Sequence, residues 1–309
     1  MSDMIWAQLV HIGYKMWADK DSTTWPLEYV TDTGELQFNR ATWDELLPIL
    51  ASNGVNTVVM DLGEGVRYDS HPEIALDGAW TPGELKAELA KMRAMGLTPI
   101  PKMNFSATHD EWLGPYSRML STDTYYGVVA DLIAEVCTLF DTPPLFHLGM
   151  DEETWGHQTR FSYVVVRQHD LWWKDFLFYV EQVEKAGVRA WIWSDFIWHH
   201  KDEFLACMPK SVLQSNWYYG GEFGPEIDYV AAYHQLEEAG YDQVPTGSNW
   251  SDPNNFEKTV RYCGDFIAPE RLKGFMQSVW KPTVDRRRER HIEASRELGF
   301  GRKAWETTQ

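Results

Sequence analysis

The chain lacks a basic surplus, a nucleotide-binding loop, a cysteine pattern and a long apolar run. Its 28 Lys and Arg face 46 Asp and Glu, a net charge of −18. That balance repels nucleic acid and anionic membranes and points to a neutral ligand. No GxGxxG follows the first β-rich run, which continues as His11-Ile12-Gly13-Tyr14. Gly63-Glu64-Gly65 is too short to supply that signature, so a doubly wound dinucleotide-binding sheet is disfavoured. Three cysteines, Cys137, Cys207 and Cys263, are odd in number and widely spaced. They give no CxxC metal site and suit reduced thiols in a cytosolic protein. Met1 to Trp6 show no basic segment leading into an apolar core, as a secretory leader would. A cytoplasmic protein with no membrane partner is therefore expected.

Aromatic rings are abundant, with 16 Trp, 14 Tyr and 14 Phe in 309 residues. Tryptophan is costly to bury completely because its indole N–H needs a partner, so part of this set is expected to line an open cleft. Trp43, Trp172, Trp173 and Trp305 fall on helical stretches or the tail and are read as structural.

One pattern recurs along the chain: a short β-rich run, a polar loop, then helical periodicity. The strands are predicted at Ala7 to Gly13, Thr57 to Asp61, Thr98 to Met103, Leu145 to Met150, Arg189 to Trp193, Val212 to Asn216, Gln243 to Gly247 and Gly274 to Val279. Thr42 is expected to cap the first helix, Thr81-Pro82-Gly83-Glu84 opens the second, and Ser121-Thr122-Asp123 precedes a third. Others are expected at His169 to Ala186, Glu226 to Ala239, Asn255 to Cys263 and Thr283 to Leu298. Eight β/α units without a composition break predict an α/β fold, a (β/α)8 TIM barrel, spanning 1–309 as a single domain with no separate N-terminal domain.

In such a barrel the active site is built at the C-terminal ends of the strands. Reading those ends in order gives Asp61, then Lys102, Asn104 and His109, then His147 with Asp151 and Glu152, then Trp193 and Asp195, Trp217 and Tyr218, Trp250 and Asp252, and Trp280. Carboxylates among indoles describe a sugar pocket, because hydroxyls bond to acids and amides while the C–H face of a pyranose stacks on rings. Asp151 and Glu152 are adjacent, and their mutual repulsion pushes their pKa values apart, so that one can stay protonated while the other stays charged. Glu153 is read as a solvent-facing or supporting acid. His199-His200 is placed on a loop where adjacent rings point apart, so no metal is expected there. Arg286-Arg287-Arg288 is read as a solvated helix face.

His147-Leu148-Gly149-Met150-Asp151-Glu152 resembles the His-x-Gly-x-Asp-Glu motif of glycoside hydrolase family 20, the β-N-acetylhexosaminidases, and falls after the fourth strand as it does there. The resemblance implies a retaining, substrate-assisted glycosidase without cofactor or metal, acting on terminal β-linked N-acetylhexosamine or a related sugar. It implies that Glu152 is the general acid and base, that Asp151 orients and stabilises the 2-acetamido group, and that Trp193, Trp217 and Trp280 box that group. The chain departs from the family in several places. Trp250-Ser251-Asp252 stands for Tyr-x-Asp, with Tyr218 or Tyr219 as possible replacements for the tyrosine, and Trp280-Lys281-Pro282 for Trp-x-Glu. Leu9 to Asp19 has no arginine to grip the far hydroxyls, and Lys102 to Ser106, with His109 further on, replaces the Asp-x-Pro-Gly-His loop. Three alternatives stay open. One is a protein nucleophile, Asp195 or Asp252, acting on a non-acetamido sugar. Another is a metal-dependent sugar isomerase or amidohydrolase with ligands from Asp61, Asp151, His147 or Asp195, and the third is a sugar-binding barrel without catalysis.

Overall fold

Thr57-Val58-Val59-Met60-Asp61 is a strand because its β-branched and apolar residues suit a pleated segment covered on both faces, and all five are buried. Seven other strands are buried likewise except at the first residues Ile5, Thr98 and Arg189. β1 (Ile5–His11), β2 (Thr57–Asp61), β3 (Thr98–Lys102), β4 (Leu145–His147), β5 (Arg189–Trp193), β6 (Leu213–Ser215), β7 (Thr246–Ser248) and β8 (Gly274–Ser278) pair in parallel in the order β6-β5-β4-β3-β2-β1-β8-β7. The computed structural model describes residues 4–19 and 34–308. Met1 to Asp3, part of the segment read for a leader, lie outside them.

Backbone bonds from Val244 N–H to Gln214 O and from Thr246 N–H to Asn216 O join β6 to β7 and close the sheet into a barrel. Around it lie α1 (Arg40–Ser52), α2 (Pro82–Ala94), α3 (Asp123–Leu139), the short α4 (Trp155–Gln158), α5 (Asp170–Lys185), α6 (Ile197–Cys207), α7 (Asp228–Glu238), α8 (Asn255–Phe266) and α9 (Arg288–Thr308). The fold is the expected (β/α)8 barrel. Among the described residues no helix is long and apolar enough to cross a membrane.

Local chemistry sets the helix starts. Thr81 and Glu84 bond reciprocally to each other's backbone N–H at the start of α2, and the Thr122 side chain caps α3. The cap of α1 is Asn39, whose side chain accepts from Thr42 N–H at 2.9 Å, so Thr42 receives the expected cap instead of providing it. α6 carries His199 and His200, which were expected on a loop.

Register decides which side chains share a layer inside the barrel. His11 pairs with Asp61, Asp61 with Lys102, and Lys102 with His147. Side chains on neighbouring strands in register face the same way, so these four meet as one inward polar layer. Beneath it Leu9, Val59, Ile100, Leu145 and Met276 fill the interior. The pocket begins above it.

Candidate active site

The site is organised by the turn that leaves β4. The strand was expected to run to Met150, but it ends at His147 because Gly149, Met150 and Glu152 adopt left-handed backbone, with φ of 71°, 81° and 54°. Such conformations cost of order 1–3 kcal/mol for a non-glycine residue and persist only where surroundings over-determine them. Here they do. Asn104 Oδ1 accepts Met150 N–H at 3.1 Å, Asp195 Oδ2 accepts Glu152 N–H at 2.8 Å, and Ser106 Oγ–H donates to the Asp151 carbonyl at 2.7 Å. A Cβ on Gly149 would overlap the Asn104 side chain. Gly149→Ala is therefore expected to cost about 1–3 kcal/mol of stability in urea unfolding; an unchanged midpoint would show that the turn is not held this tightly.

The two adjacent acids differ in their surroundings. Asp151 is buried, and its Oδ1 accepts the Asn104 amide N–H at 2.7 Å. Glu152 keeps a side chain 30 % exposed, with Oε2 at 3.3 Å from His157 Nε2 and 3.8 Å from His109 Nε2. Burial, then the charges of Asp151 and Asp195, push the Glu152 carboxyl up to about 8, against an opposing pull from Arg160. Both histidines are shifted down, chiefly by burial, His157 to about 4, so they face Glu152 as neutral rings. The carboxyl of Asp195 is raised by burial and by Asp151.

Asp151 and Glu152 open into a cavity of about 220 Å³. Trp280, Trp217, Tyr219 and Trp250 wall it on one side, Tyr14, Trp17 and His109 on another, and His157 and Arg160 complete it. Trp280 Nε1–H donates to the Tyr219 hydroxyl at 2.7 Å, and the Trp217 ring lies 4.9 Å from the Tyr219 ring, nearly parallel.

Several residues expected at the ligand stand elsewhere. Asp61, Lys102 and His147 are almost wholly buried in the polar layer, where Lys102 Nζ lies 2.6 Å from Asp61 Oδ2. Burial works against the Asp61 charge, yet Lys102 and His11 together hold its carboxyl down at about 2. Trp193 is buried under Trp280, at 5.9 Å between rings, and 4.6 Å from the His147 ring. Asn104 is spent on Asp151 and the Met150 amide. Asp252 lies 2.9 Å from Lys258 Nζ and accepts Asn254 N–H, away from the cavity. Tyr218 and Asp195 belong to a second cavity beside the first. Glu153 turns inward to Arg167, at 2.6 Å, so it supports the turn and does not face solvent. His157 and Arg160 escaped the sequence reading. Their signal was two basic side chains within eight residues of Glu152 in the connection between β4 and α5, at the site's end of the barrel. Among the described residues no group of three or more His, Cys, Asp and Glu is arranged to hold a metal ion, and the set Asp61, Asp151, His147 and Asp195 is not assembled.

The geometry is that of a barrel pocket with an acid pair, and the fold around it is similar to solved structures across nearly the whole chain. The β-N-acetylhexosaminidase of Bacteroides fragilis superposes with a TM-score of 0.65 at 14% identity, over 96% of this chain and 65% of that one. An exo-β-N-acetylglucosaminidase of glycoside hydrolase family 20 from Vibrio harveyi, solved with N-acetylglucosamine, gives 0.66 at 14%, over 96% and 54%. The Flavobacterium johnsoniae chitobiase gives 0.62 at 18%, over 87% and 48%. This is the barrel fold of the family 20 hexosaminidases. The chain spans less than two thirds of the length of each of these three structures. The sequence itself matches no protein-family model and no curated protein.

Proposed function

We propose that the chain is a glycoside hydrolase that cleaves terminal β-linked N-acetylhexosamine, or a related sugar, with retention and with help from the substrate's own 2-acetamido group. In this reading the acetamido oxygen attacks the anomeric carbon as the glycosidic bond breaks, and Glu152 gives its proton to the departing oxygen. Asp151, ionised, receives the acetamido N–H and balances the positive charge of the cyclic intermediate. Glu152 then takes a proton from the water that opens it. The observation that carries the reading is the contrast within one aromatic pocket: Asp151 is buried on an amide donor, while Glu152 beside it is pushed up to about 8.

The departures from the family have local substitutes. Because Trp280 N–H and the Ser278 hydroxyl donate to the Tyr219 hydroxyl oxygen at 2.7 and 3.0 Å, the tyrosine's own proton is left for another acceptor. In this reading that acceptor is the acetamido oxygen, a task for which Trp250 has no hydroxyl. Arg160 gives the pocket wall the guanidinium that Leu9 to Asp19, which has Lys15 but no arginine, does not supply. The carboxylates a protein nucleophile would require are otherwise engaged, Asp195 by the Glu152 amide and Trp217 Nε1–H, Asp252 by Lys258.

The decisive experiment is a panel of β-glycosides with and without a 2-acetamido group, assayed beside a thiazoline inhibitor. Cleavage confined to acetamido substrates and blocked by the thiazoline is expected; indifference to both would move the nucleophile onto the protein. The pH profile supplies a second test. Catalysis needs the Glu152 proton, which a carboxyl raised from 4.5 to about 8 holds below that pH and loses above it. kcat/KM should therefore fall about tenfold per pH unit above roughly pH 8. A fall beginning below pH 6 would deny Glu152 the role of acid.

A further inference from the structure

Glu64 lies in the short helical turn Gly63–Gly65 after β2, buried, and the catalytic steps above make no use of it. We infer that it is a positioning residue for the first cavity: its carboxylate holds the Tyr14 and Trp17 wall against the terminal sugar, and a proton on it slackens that wall. The inference rests on the hydrolase reading above.

The chain leaving β1 is tied down amide by amide. Ile12 and Gly13 N–H donate to the Asp61 carbonyl at 2.7 and 3.0 Å, and the next two, Tyr14 and Lys15 N–H, donate to Glu64 Oε1 at 2.7 and 2.9 Å. One carboxylate oxygen thus fixes the two residues at which the chain passes from the barrel into the pocket wall. The approach is too close for a side chain at the glycines between them. A Cβ on Gly13 would lie 2.6 Å from Glu64 Oε2, and one on Gly65 would lie 2.4 Å from the Ile12 carbonyl oxygen. What Glu64 holds faces the ligand. Tyr14 and Trp17 pack edge-to-face at 4.6 Å in the cavity wall, and the Tyr14 hydroxyl donates to the Trp280 carbonyl at 3.1 Å. Trp280 in turn donates to the Tyr219 hydroxyl, so a shift of the β1 end reaches the group given to the acetamido oxygen.

The grip depends on charge. A hydrogen bond to an ionised acceptor is roughly twice as strong as one to a neutral acceptor, and Glu64 Oε2 is buried with no bonding partner of its own. Burial pushes the carboxyl up to about 7, against the pull of the Tyr14 and Lys15 amides and with a further push from Asp61. Around it, Asp61 stays charged down to about 2, and the Tyr68 phenol is raised well above its usual value by burial. On the packed turn Glu111–Tyr116 the Glu111 carboxyl, also raised by burial, faces the Lys15 ammonium at 3.6 Å. The bonds to the Tyr14 and Lys15 amides come from Glu64, so its proton is the one that loosens them. Below about pH 7 the wall slackens; above it the wall is held.

Amide hydrogen exchange reads the wall without a substrate. In the wild type the protection of the Tyr14 and Lys15 amides, corrected for intrinsic rates, should be about fivefold lower at pH 6 than at pH 8, the difference between a charged and a neutral acceptor. Glu64→Gln keeps a carbonyl acceptor and cannot ionise, so its protection should be the same at both. KM for an acetamido glycoside should follow, about fivefold higher at pH 6 than at pH 8 in the wild type and level in Glu64→Gln. The effect falls on KM because bound substrate and transition state meet the same wall. A purely structural role would move the urea midpoint and leave protection and KM independent of pH. Protection that does not change with pH, a change that persists in Glu64→Gln, or a KM that does not follow it would overturn the inference alone. Turnover of no glycoside would overturn the hydrolase reading and this inference with it.

Discussion

Glu152→Gln should lower kcat on a glycoside with a poor leaving group by about 10²–10⁴-fold, the usual contribution of a positioned acid. The amide has the size of the acid and keeps the backbone N–H that Asp195 accepts, so the left-handed turn survives. Only the proton is lost. Two features distinguish this from general damage. A leaving group acidic enough to depart unaided, such as dinitrophenolate, should lose far less, because it needs no proton. The residual activity should also lack the basic limb near pH 8, since the group responsible for it is gone. An equal loss on both leaving groups, or a limb that persists in the variant, would assign the proton to another residue.

The barrel was legible because its signals are local. Thr57–Asp61 and Arg189–Trp193 begin and end where expected, each a β-branched or aromatic run whose burial on both faces leaves no other good conformation. The acid pair was legible for the same reason, since six consecutive residues carry it. β4 was not. Its end is decided by Asn104, a side chain far away in sequence that captures the Met150 amide and lets the chain turn left-handed. The candidates at the strand ends erred in a consistent direction. Asp61, Lys102 and His147 were counted among the ligand candidates for lying at or near the ends of expected strands, but the register makes them partners of one another in the layer that plugs the barrel. The pocket proper is formed a residue or more further along each chain, by Trp217, Tyr219, Trp280 and the loop bearing His157 and Arg160. A list of strand ends identifies the correct face of the fold and not the depth at which each side chain comes to rest. Depth depends on pairing, which is a property of two strands at once.

Arg167→Ala should destabilise the protein by about 3–5 kcal/mol, the cost of leaving a buried charge without its partner. The guanidinium is fully buried and every edge of it is used. Nε and Nη2 donate to the two oxygens of Glu153 at 2.6 and 2.7 Å, Nη1 donates to Asp175 at 3.0 Å and to the Tyr179 hydroxyl at 2.7 Å, and Nη2 also donates to the Phe105 carbonyl at 2.8 Å. Removing it strands two carboxylates in the interior. Asp175 retains Ser121 and Tyr126 as donors, while Glu153 retains only the Ala107 amide among the bonds described. Arg167→Lys should recover part of the loss, since an ammonium supplies the charge but cannot meet Glu153 with two parallel bonds. The damage should reach catalysis too, because Glu153 is covalently next to Glu152. A Glu153 seeking solvent would pull the acid away from both cavities, and a misplacement of about 1 Å can cost 10²-fold in rate. Urea unfolding and kcat measured on the same variants test the link: a loss of stability below about 1 kcal/mol in Arg167→Ala would mean that the pair is solvated, and full stability loss with unchanged kcat would mean that Glu152 is held by Asp195 alone.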